Sequence, residues 1–387
     1  MPRPDTRTPG FRTPHVGTPH VGTPHVGTPH VGTPHVGTAN GGPQELGTAG
    51  CETEDYETPG SRSRERERAR EYGARRFGAP DAPQPAGADR LVQWLRHSPA
   101  QPLFRAHAAR RLVVLAFRRV TDRHVFGAQL DRLCRVAVPV SLRALEQAVR
   151  EGRPLPPRSV LITFDDADRG VLDHALPALT ARGLPAVAFV VTELIGTDRP
   201  SWRQEAAFLL ANGGHARAVT ADGLAARLAQ LATLPDPDRR RSLHELRVNS
   251  PVRPPRRERL TPEQLRRLTA AQVVIGNQTL GDADLRRCDD ATVHAEIRTA
   301  HQALTEWLGA APTAFAYPGG HHDPRAAGLL TDLGYPTAFV NDDRLSPRLP
   351  REPLRVSRLA VEAGCDGAQF EAVLSGLHPA VHRWRGV

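Results

Sequence analysis

The chain has 387 residues, 39% of them hydrophobic, and a formal net charge of +9, which is length and apolar content enough for one substantial core. No apolar run approaches the roughly 18 residues that a membrane-spanning helix needs, and the N-terminus lacks the charged-then-apolar layout of a secretory leader, so no membrane partner and a cytoplasmic location are expected. The positive charge is all arginine, since the sequence contains no lysine; this is the mark of GC-rich codons, and nucleic-acid binding, which needs a motif beside the charge, stays only as an alternative from another class.

From residue 13 the unit TPHVG occurs five times and spaces His15, His20, His25, His30 and His35 evenly. That period fits neither helix nor strand, and Pro and Gly in every unit oppose regular structure, so a disordered segment is expected. Loose metal chelation by the five imidazoles is the functional alternative. A charged run, SRSRERERAR at 61–70, and a Pro/Ala/Gly-rich stretch at 78–88 follow, and residues 1–88 read as a tail before a domain over 89–387. Cys51, Cys134, Cys288 and Cys365 form no CxxC pair, so buried free thiols are expected rather than a zinc knuckle or redox dithiol.

Within the domain, apolar runs alternate with helix signals. Residues 112–117 (LVVLAF), 138–140 and 159–164 (SVLITF) read as strands, with Ser141 capping a helix that carries Leu142, Leu145 and Val149 on one face. A helix over 171–182 stops at Gly183, and 185–191 (PAVAFVV) is a further strand. Residues 201–247 read as a helical insertion. The alternation resumes at Thr261-Pro262-Glu263-Gln264, a cap, a first-turn proline and a capping-box glutamine. Then come a strand at 272–275, a helix at 291–308 ended by Gly309, a strand at 313–317, a helix at 324–333 ended by Gly334 and a strand at 337–340. Short strands alternating with helices imply a parallel sheet covered by helices; closed barrel and open doubly wound sheet both satisfy the pattern.

In either architecture function sits at the carboxyl ends of the strands. Three polar clusters fall there: Thr163-Phe164-Asp165-Asp166, the run from Gly276 to Asp282 (GNQTLGD), and the run from Tyr317 to Asp323 (YPGGHHD). Adjacent carboxylates where a strand breaks into a loop can turn into one pocket, and a Pro-Gly-Gly turn presents backbone N–H groups able to stabilise an oxyanion.

ITFDDA at 162–167, IGNQTLGDADL at 275–285 and FAYPGGHHDPRAAGLLTDLGY at 315–335 resemble three successive motifs of the polysaccharide deacetylase family, the NodB homology domain or carbohydrate esterase family 4. LVVLAF, GAQLDRL at 127–133, PVSL at 139–142 and LRVSRLAV at 354–361 resemble the family's flanking segments, so the likeness spans 112–361. It implies an α/β fold, a distorted (β/α) barrel of fewer than eight strands, and metal-dependent hydrolysis of an N- or O-acetyl group on a carbohydrate. By this resemblance Asp165 matches the general base, Asp166 the carboxylate metal ligand, and Gly319 the backbone N–H that polarises the acyl oxygen. Gln278 and Asp282 stand where the family has its two metal-binding histidines, so the candidate ligand set is Asp166, Gln278 and Asp282. No residue matches the family's leaving-group histidine or the arginine that orients its base.

An all-oxygen set favours Mg²⁺, Ca²⁺ or Mn²⁺ over the family's zinc, and such ions acidify bound water less. A weakened enzyme and an inactive carbohydrate-binding protein of the same fold are therefore both open. His321 and His322 are expected at the rim of the same pocket.

Overall fold

The computed structural model describes residues 101–362 and 365–377; the expected tail, its histidine repeat, Cys51 and the boundary at residue 89 lie outside the described residues. In chain order the elements are α1 (Gln101–Ala109), β1 (Arg111–Phe117), α2 (Arg123–Val136), β2 (Val138–Pro139), α3 (Leu142–Glu151) and β3 (Ser159–Phe164). A π turn (Val171–Ala175) then runs into α4 (Leu176–Thr180), followed by β4 (Ala186–Val190). Three helices follow β4 in succession: α5 (Trp202–Ala211), α6 (Leu224–Thr233) and α7 (Asp236–Asn249). The rest is α8 (Pro262–Ala270), β5 (Val273–Asn277), α9 (Asp290–Leu308), β6 (Ala314–Ala316), α10 (Pro324–Asp332), β7 (Thr337–Val340), β8 (Ser346–Pro347), β9 (Val356–Ser357), β10 (Leu359–Val361) and α11 (Gly367–Leu374).

Local signals explain where these elements start and stop. Ser141 accepts from the Ala144 N–H at the start of α3. Thr261 and Gln264 close a reciprocal capping box on α8, and Gly309 ends α9 in the left-handed conformation with φ +74°, where a residue without Cβ pays no steric cost.

The sheet runs β10-β1-β3-β4-β5-β6-β7-β9, and every neighbouring pair on that path is parallel. Its two ends, β9 and β10, are consecutive in the chain and separated by Arg358 alone. One segment therefore pairs with β7 through its first half and with β1 through its second, and the sheet closes into a barrel. The path counts eight strands, where the sequence implied fewer, because Arg358 splits that one segment into two.

Alternation along the strands divides the core. Leu112 and Val114 of β1 join Leu161, Val187, Phe189, Ala314, Ala316, Phe339 and Val356 in one cluster. Side chains from six strands meet in one cluster only inside a barrel, and Leu142, Leu145 and Ala148 of α3 pack into it. Val113, Leu115 and Phe117 point the other way, into a second cluster that includes Phe126, Leu130 and Leu133 of α2 and extends to Leu265 and Leu268 of α8. This is the two-residue period of strands buried on both faces. The three helices after β4 have a core of their own around Trp202, Leu209, Leu231 and Leu246. Cys288 and Cys365 are buried free thiols, as expected, but Cys134 is exposed, because its position on α2 faces away from the barrel. Among the described residues no helix is long and apolar enough to cross a membrane.

Candidate functional site

At the carboxyl end of β3 the chain leaves the sheet through Asp165, whose N–H donates to the Phe117 carbonyl at 2.9 Å. The Asp165 side chain continues the inward face of Leu161 and Thr163 and meets Arg358, which donates from Nη1 to Asp165 Oδ1 at 2.6 Å. Arg358 is 1% exposed. It also donates to Thr163 Oγ1 and to the Val340 carbonyl, both at 3.3 Å, and its guanidinium lies 5.2 Å from the Phe189 ring centroid. A buried guanidinium needs this degree of satisfaction, since an unpaired charge inside the barrel would be costly.

Asp166 turns back with φ +50° and pairs reciprocally with Gln278. Its N–H donates to Gln278 Oε1 at 3.2 Å, and Gln278 Nε2 donates to Asp166 Oδ1 at 2.8 Å. The amide orientation follows from bonding: turned round, it would set NH₂ against an N–H and oxygen against a carboxylate. Gln278 is positioned from β5, its own N–H donating to the Val190 carbonyl at 3.0 Å.

The loop after β5 is held in an unusual conformation. Thr279 and Asp282 have φ +65° and +53°, a region a β-branched residue such as Thr279 enters only under constraint. The constraints are explicit: Thr279 N–H donates to Asn277 Oδ1 at 2.8 Å, and Gly281 N–H to Glu296 Oε2 at 2.7 Å. Asp282, buried, accepts from Trp202 Nε1 through its carbonyl and through Oδ2, both at 3.1 Å. Arg203 follows Trp202 on α5, lies 4.3 Å over the indole ring and brings Nε within 3.9 Å of Asp282 Oδ2.

Gly319 sits in the turn after β6 with φ +63°. A methyl group there would lie 3.0 Å from His321 Nδ1 and 3.9 Å from Arg203 Nη2, so the turn, His321 and Arg203 are neighbours. The two histidines part company. His321 is exposed beside this turn, while His322 packs edge-on against Tyr317 with ring centroids 5.3 Å apart. Burial lowers the pKa of both, with help from Arg286 for His321 and Arg355 for His322.

Burial and the neighbouring Asp165 charge push the Asp166 carboxyl above the usual range, against the pull of Arg118, Arg259 and Arg203. Burial first, then the Asp166 charge, push Asp282 up to about 7. Asp165 raises the pKa of Asp166 and Asp166 that of Asp282, so the three carboxyls share one locality, and the cations that oppose these shifts are arginines. Among the described residues no three His, Cys, Asp or Glu side chains form a group able to hold a metal ion.

The structure thus gathers Asp165, Asp166, Gln278 and Asp282 with Arg203, and sets Gly319 beside Arg203. Sequence reasoning missed three participants. Arg358 lay within LRVSRLAV, already marked as a flanking segment, and an arginine in an otherwise apolar buried strand was a usable signal. Trp202 and Arg203 open a helix 80 positions before Asp282, and nothing in their spacing pointed at the site.

An eight-stranded parallel path closed on itself, with its polar groups at the carboxyl ends of the strands, defines the class: a distorted (β/α) barrel. Residues 152–338 match the family model described as polysaccharide deacetylase. Among solved structures it is similar to IcaB from Ammonifex degensii, at 22% identity and TM-score 0.48, covering 69% of this chain and 97% of that one. The Streptococcus pyogenes deacetylase PplD in complex with acetate matches at 13% identity and TM-score 0.47, covering 68% and 97%. The deacetylase domain of BpsB from Bordetella bronchiseptica matches at 18% identity and TM-score 0.43, covering 66% and 97%. No curated protein matches the chain.

Proposed function

We propose that this chain is a carbohydrate-binding member of the polysaccharide deacetylase family in which the metal centre has been exchanged for a hydrogen-bonded cluster. The observation that carries the reading is the reciprocal Asp166–Gln278 pair, with contacts of 3.2 and 2.8 Å. It directs the Gln278 amide oxygen at a backbone N–H and Asp166 Oδ1 at an amide NH₂, so neither is aimed at a common cation. Asp282 adds to this, since Oδ2 accepts from Trp202 and has the Arg203 guanidinium 3.9 Å away. The family's divalent ion would require donors with free lone pairs converging on one point, and imidazoles for zinc. Asp166, Gln278 and Asp282 do not fit that ion, and no step here runs through a metal.

What remains is suited to holding a sugar. Asp165 presents a carboxylate fixed by Arg358, an acceptor for hydroxyl groups, and the Gly319 turn supplies a backbone donor for an acyl oxygen. The same Asp165–Arg358 pair supports a second reading, slow metal-independent hydrolysis, because an oriented carboxylate is what general-base catalysis needs.

The test is calorimetry with chitin oligosaccharides in the presence of a chelator, run beside an acetate-release assay. Binding without release supports the first reading. Release that a chelator abolishes would overturn it, and chelator-resistant release lost in Asp165→Asn would establish the second.

A further inference from the structure

Beside Asp166 the rim of the barrel carries more positive charge than its carboxylates balance. Asp168, two residues on, forms an isolated antiparallel bridge with Arg259, and its Oδ2 lies 4.0 Å from Arg119 Nε. Its other oxygen accepts from the Gly170 N–H at 2.9 Å. Arg259 is 6% exposed, yet it donates only to neutral groups, the Arg199 carbonyl at 2.8 Å and Gln204 Oε1 at 3.3 Å. Arg257, half-buried, is anchored by its backbone N–H to the Asp198 carbonyl at 2.6 Å. Among the described residues no carboxylate lies within ion-pair distance of the Arg257 or Arg259 side chains. Arg119 Nε is buried without a hydrogen-bond partner.

Arg119 thus stands beside Asp168, whose backbone pairs with Arg259, and Arg257 lies two residues from Arg259, so three arginines from two separate stretches of chain crowd one part of the rim. The crowding is felt: burial, then the Arg119 charge, lower the pKa of Arg257, and burial lowers that of Arg259, with Arg257 and Arg119 adding to it against Asp166 and Asp168. A fold gains nothing internally from an unpaired buried donor and from like charges held together. An anion arriving from outside would satisfy both, and guanidinium forks match carboxylate, sulfate and phosphate oxygens two at a time.

We propose that Arg119, Arg257 and Arg259 form an anion-binding subsite next to Asp166, which takes the acidic group of an anionic carbohydrate. This rests on the carbohydrate-binding reading above and narrows it to acidic glycans. A recessed cluster beside a barrel mouth suits a sugar substituent better than the open phosphate stripe of a nucleic acid, which is read from an exposed face.

The experiment uses the full chain, with a hyaluronan tetrasaccharide (a carboxylate on alternate sugars), neutral chitotetraose, inorganic sulfate and a DNA oligonucleotide as probes. Arg119→Gln with Arg257→Gln is compared with Arg256→Gln, a neighbour 90% exposed and paired with Asp198; Arg259 is left in place because its hydrogen bonds hold the fold. The unmodified chain should bind the acidic tetrasaccharide about tenfold or more tighter than the neutral one, sulfate should compete, and the double variant should lose that preference while keeping neutral binding. Arg256→Gln should change little. Neutral binding with no acidic preference and no effect of sulfate overturns the subsite and leaves the carbohydrate reading standing. Sulfate bound through Arg119 and Arg257 with neither sugar bound overturns the carbohydrate reading, and DNA retention lost in the double variant overturns the glycan assignment.

Discussion

Arg358 and Asp165 meet at 2.6 Å inside the barrel, at the residue where one segment stops pairing with β7 and starts pairing with β1. The contact fastens the seam of the barrel to the floor of the site, so stability and site geometry depend on the same bond. Arg358→Met leaves Asp165 charged and unpaired, and should cost about 3–5 kcal/mol. Adding Asp165→Leu to it should recover most of that loss, since both charges are then gone. Urea unfolding of the two single variants and the double closes the cycle, and a single variant within about 1 kcal/mol of the parent would refute a role for the pair in holding the seam.

A second expectation concerns pH. Asp282, pushed up to about 7 by burial and by Asp166, holds its proton more tightly folded than unfolded, where a carboxyl titrates near 3.9. Between about pH 4 and pH 7 the native state binds more protons, so this group's contribution to stability falls as pH rises through that window and is flat above it. Asp282→Asn keeps an acceptor for Trp202 and removes the titration. The variant should therefore gain on the parent as pH rises from about 4 to about 7, by a few kcal/mol at most, in melting experiments across that range. A difference that does not vary with pH would mean Asp282 titrates normally.

The sequence was most legible where physics is local. The strand boundaries at 159–164 and 337–340 match β3 and β7, because an apolar run bounded by turn residues is a short-range signal. The Thr261 capping box and the Gly309 stop hold for the same reason. Closure of the barrel followed from the family resemblance and not from periodicity: β9 and β10 have two and three residues, too few for a period to register. The Arg358–Asp165 pair joins positions 193 apart, and the Trp202–Asp282 contact joins a helix to a loop that share no pattern. Motif order led to Asp165, Asp166, Gln278, Asp282 and Gly319, but which groups partner them depends on tertiary packing that no linear spacing encodes.

The turn after β6 offers a sharper steric test. Gly320 has φ +76°, and a Cβ there would lie 2.3 Å from Asn341 Cβ and 2.7 Å from the Asn341 nitrogen. Gly183 has a similar φ of +62° with nothing within 4 Å. Gly183→Ala should cost only the left-handed penalty, roughly 1–2 kcal/mol, while Gly320→Ala must also displace the Asn341 backbone just after β7 and should cost at least twice that. Equal losses in thermal melts would mean the turn yields freely.

The last prediction restores what the family has and this chain lacks. Gln278→His with Asp282→His would set two imidazoles beside Asp166, the donor set that suits zinc. The backbone is favourable at both places: Gln278 is held by its N–H to the Val190 carbonyl at 3.0 Å, and histidine is among the residues that tolerate a φ of +53° such as that of Asp282. Removing Gln278 also frees Asp166 Oδ1 from the 2.8 Å amide contact. Arg203 is the obstacle, since its guanidinium stands 3.9 Å from Asp282 Oδ2 and would repel an incoming cation, so a triple variant with Arg203→Ser should bind zinc more tightly than the double. Zinc affinity by competition with a chromogenic chelator should rise at least a hundredfold from parent to triple variant, as two imidazoles replace an amide and a carboxylate and a cation leaves. If Asp165 acts as base when a metal supplies the nucleophile, acetate release should appear in the same order, and Asp165→Asn should remove it without lowering zinc affinity. Zinc affinity unchanged in the triple variant would mean that positions 278 and 282 do not face a common point with Asp166, and the assignment of this loop to the family's histidine motif would fail.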